Sequence, residues 1–218
     1  SRSLKGQLVP ICVYIVMAVS LNLVVGISGE LSLGHAGFMS VGAFAGAIFC
    51  MATKDGIADP TVRLILGMLA GGVFAGIMGV IVGVPVLRLQ GDYLAIVTLA
   101  FGEIIRNVLN CVYVSNDAGQ LYFGFNNPSL PGKLIVNGPQ GAQGLTRIST
   151  FTMGFCLIMF TLIVVLNLIN SRSGRAMMAL RDNRIAAESV GISVTKYKLM
   201  AFVTSAVLAG MAGTLFGM

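Results

Sequence analysis

The sequence predicts an all-α, polytopic membrane bundle of about six transmembrane helices, with a broken or re-entrant segment near residues 26–37. Hydrophobic residues make up 56 % of the 218 and charged residues only 10 %, against roughly a quarter in an average soluble domain. Charge-poor runs of membrane length recur along the chain. The basic residues gather between two of these runs. This apolar content excludes a disordered chain. The lack of charge to coat a surface argues against an ordinary soluble domain.

Residues 8–25, 36–53, 64–87, 151–170 and 199–218 contain no charged side chain, and 93–114 carries only Glu103 and Arg106. A helix needs about 20 apolar residues to cross the hydrocarbon core. Backbone groups in lipid must pair within the segment, so runs of this length read as helices. They do not alternate as the strands of a barrel do. Arg172, Arg175, Arg181, Arg184, Lys196 and Lys198 stand against Asp182 and Glu188 in one loop. The positive-inside rule makes residues 171–198 cytoplasmic. Parity then puts 115–150 outside, 88–92 inside, 54–63 outside, 27–35 inside and the N-terminus outside. Arg2 and Lys5 sit on the unfavoured side of that scheme. The net charge of +6 is thereby largely a topology signal at span ends, and no nucleic-acid partner is expected. Cys12, Cys50, Cys111 and Cys156 form no CxxC pair and read as small hydrophobes. Ser1 is not an initiator methionine and Met218 falls inside an apolar run, so a partial chain is expected.

Four features stand out. Residues 26–37 hold four glycines and two serines in an otherwise apolar stretch. Glycine lets the backbone leave the helix, and serine hydroxyls can pair the freed groups. Irregular backbone at membrane depth lines a wet cavity or is buried in protein. Ser28, Glu30, Ser32 and His35 are therefore candidates for a pathway or gate, with a plain cytoplasmic turn as the alternative. His35 is the one histidine in the chain and has no second metal ligand beside it. No metal site and no catalytic residue is assigned.

Glu103, Arg106, Asn107 and Asn110 share one helical face. A charge at that depth is costly unless it is paired. The stripe should face the bundle interior, either lining the path or joining helices, with the joining role preferred on the residues alone. Gly67, Gly71, Gly72, Gly76, Gly79 and Gly83, and again Ala209, Gly213 and Gly217, give small-xxx-small patterns that let helix backbones approach. In 174–198, Asp182 or Asn183 can cap a short helix of about 184–190 and Gly191 can end it. That helix cannot span a membrane. It is shaped to dock into another protein or to lie on anionic lipid.

The loop residues Gly174, Arg175, Ala179, Arg181, Asp182, Asn183, Ala186, Ala187, Glu188, Gly191, Ile192, Val194, Tyr197, Lys198, Leu199, Ala201 and Phe202 resemble the ATPase-coupling loop of LivM-type permeases of ABC importers for branched-chain amino acids. Two further stretches agree. Asn22-Leu23, Gly26, Gly29 and Leu31-Ser-Leu-Gly-His-Ala36 form one. Leu87-Arg-Leu-Gln-Gly91, Tyr93 to Phe101, Glu103, Ile104 and Arg106 form the other.

The resemblance implies a single transmembrane permease domain over 1–218, with an extracytoplasmic loop at 115–150 and a coupling loop at 171–198. It implies further helices after Met218. It places ATPase coupling on Arg181, Asp182, Asn183, Ala186, Ala187, Glu188 and Gly191. It also implies a sister permease, two ABC ATPase subunits that bind ATP and Mg²⁺, an extracytoplasmic amino-acid-binding protein, and a prokaryotic inner membrane. No cofactor is expected on this chain, which lacks the phosphate loop G-x-x-x-x-G-K-[ST]. The same architecture could serve urea, short amides or a sugar. An intramembrane enzyme would need convergent polar groups at depth. Only Glu103 and Arg106 qualify by sequence, and a pair that neutralises itself is a poor acid–base couple.

Overall fold

The computed structural model describes residues 2–53, 59–87, 89, 91–117, 120–125, 133–137 and 149–218. The turn-rich stretches at 126–128, 131–132 and 138–144, the charged ones at 54–58 and 88, and Gln90 lie outside them. Helix α1 (Arg2–Asn22) runs into a π-helical turn at Leu23–Ile27. Then follow α2 (His35–Ala52), α3 (Pro60–Val86), α4 (Asp92–Asn110), α5 (Phe151–Asn170), α6 (Arg172–Asp182), α7 (Arg184–Ser189) and α8 (Val194–Gly217). Among the described residues, six helices are long and apolar enough to cross a membrane. They coincide with the six runs read from the sequence.

Helix α8 is the centre of the bundle, its small side chains buried from Ser205 to Leu215. Its smallness lets α2 and α3 come down to backbone contact. A Cβ added at Gly42 would lie 2.2 Å from the Gly210 carbonyl oxygen, and one at Gly71 would lie 2.8 Å from that of Gly42. The glycine stripe is thus a packing device within the chain. It also fixes helix direction. Gly42 meets Gly210 and Gly46 meets Thr214, so α2 runs with α8. Gly71 meets Thr214 and Gly83 meets Leu199 and Phe202, so α3 runs against it. Gly154 meets Cys12 and Leu215, which places the start of α5 at the far end from α6 and α7. Helices α6 and α7 and the turn after α1 therefore share one end of the bundle.

The other end carries strands where 115–150 is expected to be a loop. Strands β1 (Val112–Asp117), β2 (Gln120–Phe125) and β3 (Lys133–Asn137) form an antiparallel sheet in the order β2-β1-β3. Helix α4 accordingly ends at Asn110, where the apolar run continues to Val114. Val112, Tyr113, Val114, Tyr122, Phe123 and Val136 are β-branched or aromatic and fit a pleated, half-buried surface. Val114 and Val136 are fully buried and pack against Phe44, Ile48 and Met51 of α2. The sheet is thereby seated on the C-terminal half of that helix.

Candidate functional site: a cleft beside a broken helix

The break between α1 and α2 begins with a widened turn. Ser28 donates its N–H to the Leu23 carbonyl at 3.2 Å, and Glu30 donates to Val24 at 3.1 Å. Gly29 then takes φ +72°, a conformation that side-chain-bearing residues rarely adopt. The chain stays irregular to Gly34, and α2 opens at His35. Ser28 and Ser32 are buried in this segment.

His35 turns into the core. Its Nε2 lies 2.9 Å from the Ser20 hydroxyl, and that hydroxyl donates to the Met17 carbonyl at 3.0 Å. The arrangement that satisfies both bonds has the imidazole donating to Ser20. Ser205 of α8 donates to the Ser20 carbonyl at 2.7 Å. The ring also packs edge-on against Phe38, which packs edge-on against Phe202. The sequence reading found neither Ser20 nor Ser205. A Ser/His pair is one arrangement of polar groups that an intramembrane enzyme could use, but this one is sealed in the core. Its serine proton is committed to a carbonyl, so His35 is not placed to act as a base.

The break meets α4 as well. The Leu33 N–H donates to the Thr98 hydroxyl at 3.1 Å, which donates on to the Ala95 carbonyl at 2.9 Å. A Cβ at Gly34 would lie 2.1 Å from the Thr98 carbonyl oxygen, so the two backbones touch. Above this contact lies a cleft of about 260 Å³, walled by Leu33, Ala36, Ser40 and Leu99 over a glycine floor and edged by Glu103 and Arg106. The Arg106 guanidinium stands 3.4 Å from the Glu103 carboxylate.

That stripe was expected to face the bundle interior. It does not: the Glu103 and Arg106 side chains are 57 % and 70 % exposed, Asn107 is exposed and Asn110 is partly so. The reason is that α8, α2 and α3 fill the centre, and α4 packs on α2 from outside. Of the predicted pathway residues, Glu103 and Arg106 edge the cleft. Ser28, Ser32 and His35 are buried away from it. Glu30 forms an ion pair with Lys198 of α8.

At the end that carries α6 and α7, Ser171 caps α6 by accepting from Gly174 N at 3.1 Å. Of the two residues that could cap α7, Asn183 does so, accepting from Ala186 N at 3.0 Å. Gly191 ends it at φ +89°, while Ile192 N bonds back to the Ala187 carbonyl at 3.1 Å. Arg184 pairs with Glu188 one turn on at 3.0 Å. Ala187 is buried with Leu180 and Val194, whereas Ile185 and Val190 are each 81 % exposed. Arg181 bonds Asp182 at 3.2 Å and extends to the Gly26 carbonyl at 2.7 Å. The three stretches that carried the resemblance therefore converge: Arg181 on Gly26, Lys198 on Glu30, Leu33 on Thr98.

The family described as "Branched-chain amino acid transport system / permease component" matches residues 4–218. The chain belongs to this family. It is 34 % identical to the high-affinity branched-chain amino acid transport system permease protein LivM of Escherichia coli, over 94 % of this chain and 50 % of that one. The probable branched-chain amino acid transport permease protein LivM of Methanocaldococcus jannaschii is 23 % identical, over 94 % of this chain and 64 % of that protein. The nucleoside ABC transporter permease protein NupC of Lactococcus lactis is 24 % identical, over 86 % of this chain and 58 % of that protein. The chain spans about half the length of the LivM proteins it matches at 33–34 % identity. No solved structure gives a significant match. Family membership makes the chain part of a multi-pass transport protein, and the six apolar helices agree with it.

Proposed function

We propose that the chain is the permease subunit of an ATP-binding-cassette importer for branched-chain amino acids in a prokaryotic inner membrane. The observation that carries the reading is α7. It is a capped helix at the basic end of the bundle, anchored by Ala187 and offering Ile185 and Val190 to a partner. An ATPase subunit is that partner. ATP and Mg²⁺ are bound there, and this chain holds no cofactor of its own. Arg181, Asp182, Asn183, Ala186, Ala187, Glu188 and Gly191 form or frame the coupling helix.

The open edge of the cleft calls for a cover, because charges facing lipid are costly. A sister permease packed on α4 supplies it and closes a path between the subunits. Glu103 and Arg106 beside Leu33, Ala36 and Leu99 suit a zwitterion with an apolar side chain. The carboxylate receives the ammonium group, the guanidinium receives the carboxylate, and the walls receive the hydrocarbon. An extracytoplasmic binding protein delivers this cargo to the end that carries the sheet. A nucleoside is the second reading, favoured by the Lactococcus relative.

The test is ATP-dependent uptake of labelled leucine into vesicles holding the complex. Competition by isoleucine and valine supports the reading. Competition by a nucleoside alone assigns the second. Failure of the chain to co-purify with an ATPase subunit refutes both.

A further inference from the structure

We propose that the irregular segment 28–34 links the loop at the basic end to the cleft, with Glu30 and Lys198 as its positioning pair. The inference rests on the transport reading above, because it assigns how motion at α7 reaches the cargo path. The lower end of the segment is tied twice to the loop elements. Lys198, one turn into α8, pairs with Glu30. Arg181, at the end of α6, bonds the Gly26 carbonyl at 2.7 Å and lays its stem over Gly29, where an added Cβ would meet Arg181 Cγ at 2.6 Å. The upper end is tied to α4 through Leu33 N and Thr98. Leu33 itself walls the cleft. One short stretch of chain thus joins both regions without helical slack.

Helix α7 is well placed to load these ties. Its buried Ala187 shares a small apolar core with Leu180 of α6 and Val194 of α8. Leu180 adjoins Arg181, and Val194 is one turn before Lys198. Movement of α7 therefore shifts both anchors together. The Lys198–Glu30 pair is also the most shielded of the ion pairs among the described residues. Both its side chains are 12 % exposed, and no other pair has a member below 38 %. Shielded charges attract strongly, and removing one partner leaves the other stranded. The exposed pairs are screened and weak.

The test uses the complete transporter in proteoliposomes. A second readout comes from a permease whose Cys111 and Cys156 are serine and whose Leu33 is replaced by cysteine as a reporter. Glu30→Gln is expected to lower leucine uptake per ATP hydrolysed at least several-fold. It should also change the rate at which a charged maleimide modifies the reporter. Exchanging the charges, Glu30→Lys with Lys198→Glu, is expected to restore both readouts, and Lys198→Arg to preserve them.

Wild-type uptake per ATP in Glu30→Gln overturns the linkage. So does an exchange variant that inserts but behaves like the single changes. If Glu30→Gln fails to insert, Lys198→Met puts the same question from the other partner. If the unmodified complex hydrolyses ATP without moving leucine, the transport reading fails. The reporter then still decides whether the Glu30–Lys198 pair sets the cleft.

Discussion

The Thr214 hydroxyl donates to the Gly42 carbonyl at 2.9 Å, where α2, α3 and α8 cross. The bond requires helix axes close enough that neither Gly42 nor Gly210 has room for a methyl group. Gly42→Ala would drive its Cβ to 2.2 Å from a backbone carbonyl, which cannot rotate aside. The expected cost is about 1–3 kcal/mol, as for other overpacked cores. Gly217→Ala meets nothing closer than 3.6 Å and should change stability by less than about 0.5 kcal/mol. Thermal unfolding in detergent compares the two. Equal melting temperatures would show that the helices do not cross as described.

Ser20→Ala separates structure from chemistry at the buried Ser/His pair. The change removes the oxygen facing His35 Nε2 and leaves that nitrogen without a partner in the core. A buried polar group stripped of its partner costs about 1–3 kcal/mol. Stability should fall accordingly, while uptake per folded molecule stays near wild type. Intact folding with abolished activity would instead make Ser20 a participant in chemistry.

How much of this was legible beforehand follows from the range of each interaction. The six spans could be read because length and charge are local properties of the chain. The capping of α7 could be read because Asn183 and Gly191 act on neighbours within four residues. The sheet could not, because strands of five or six residues among glycines and prolines leave little periodic signal. Nor could the Ser20–Ser205 bond or the Glu30–Lys198 pair, since 185 and 168 positions separate the partners. Periodicity showed that Glu103, Arg106 and the two asparagines share a face. It carried no information on which neighbour that face would meet. The interior expectation failed because α8 occupies the centre.

Gly191→Pro and Ile185→Asp should both break coupling, by different routes. Proline fixes φ near −65°, whereas Gly191 needs +89°, so α7 loses its C-terminal turn. Ile185→Asp leaves the helix intact and places a charge where an apolar anchor meets the partner. Burial of such an anchor is typically worth about 2 kcal/mol or more. Co-purification of the ATPase subunit should drop in both, with membrane insertion unchanged. Glu188→Lys also breaks the pairing with Arg184 and should reduce uptake per ATP. Wild-type uptake in these variants would remove α7 from the coupling role.

Glu103→Gln and Arg106→Gln distinguish a cargo site from a structural brace. An ion pair this exposed contributes only about 0–1 kcal/mol to stability, so neither change should move the melting temperature much. A pair that receives a zwitterion behaves differently in transport. Each variant leaves one end of the cargo without its counter-charge, and a hydrogen bond to a charged group is worth about 1.5–3 kcal/mol. The concentration of leucine giving half-maximal uptake should therefore rise about tenfold or more, by the usual 1.4 kcal/mol per decade. Maximal ATP hydrolysis should be kept. The opposite pattern, lost stability with unchanged leucine dependence, would make the stripe a brace for the neighbouring subunit.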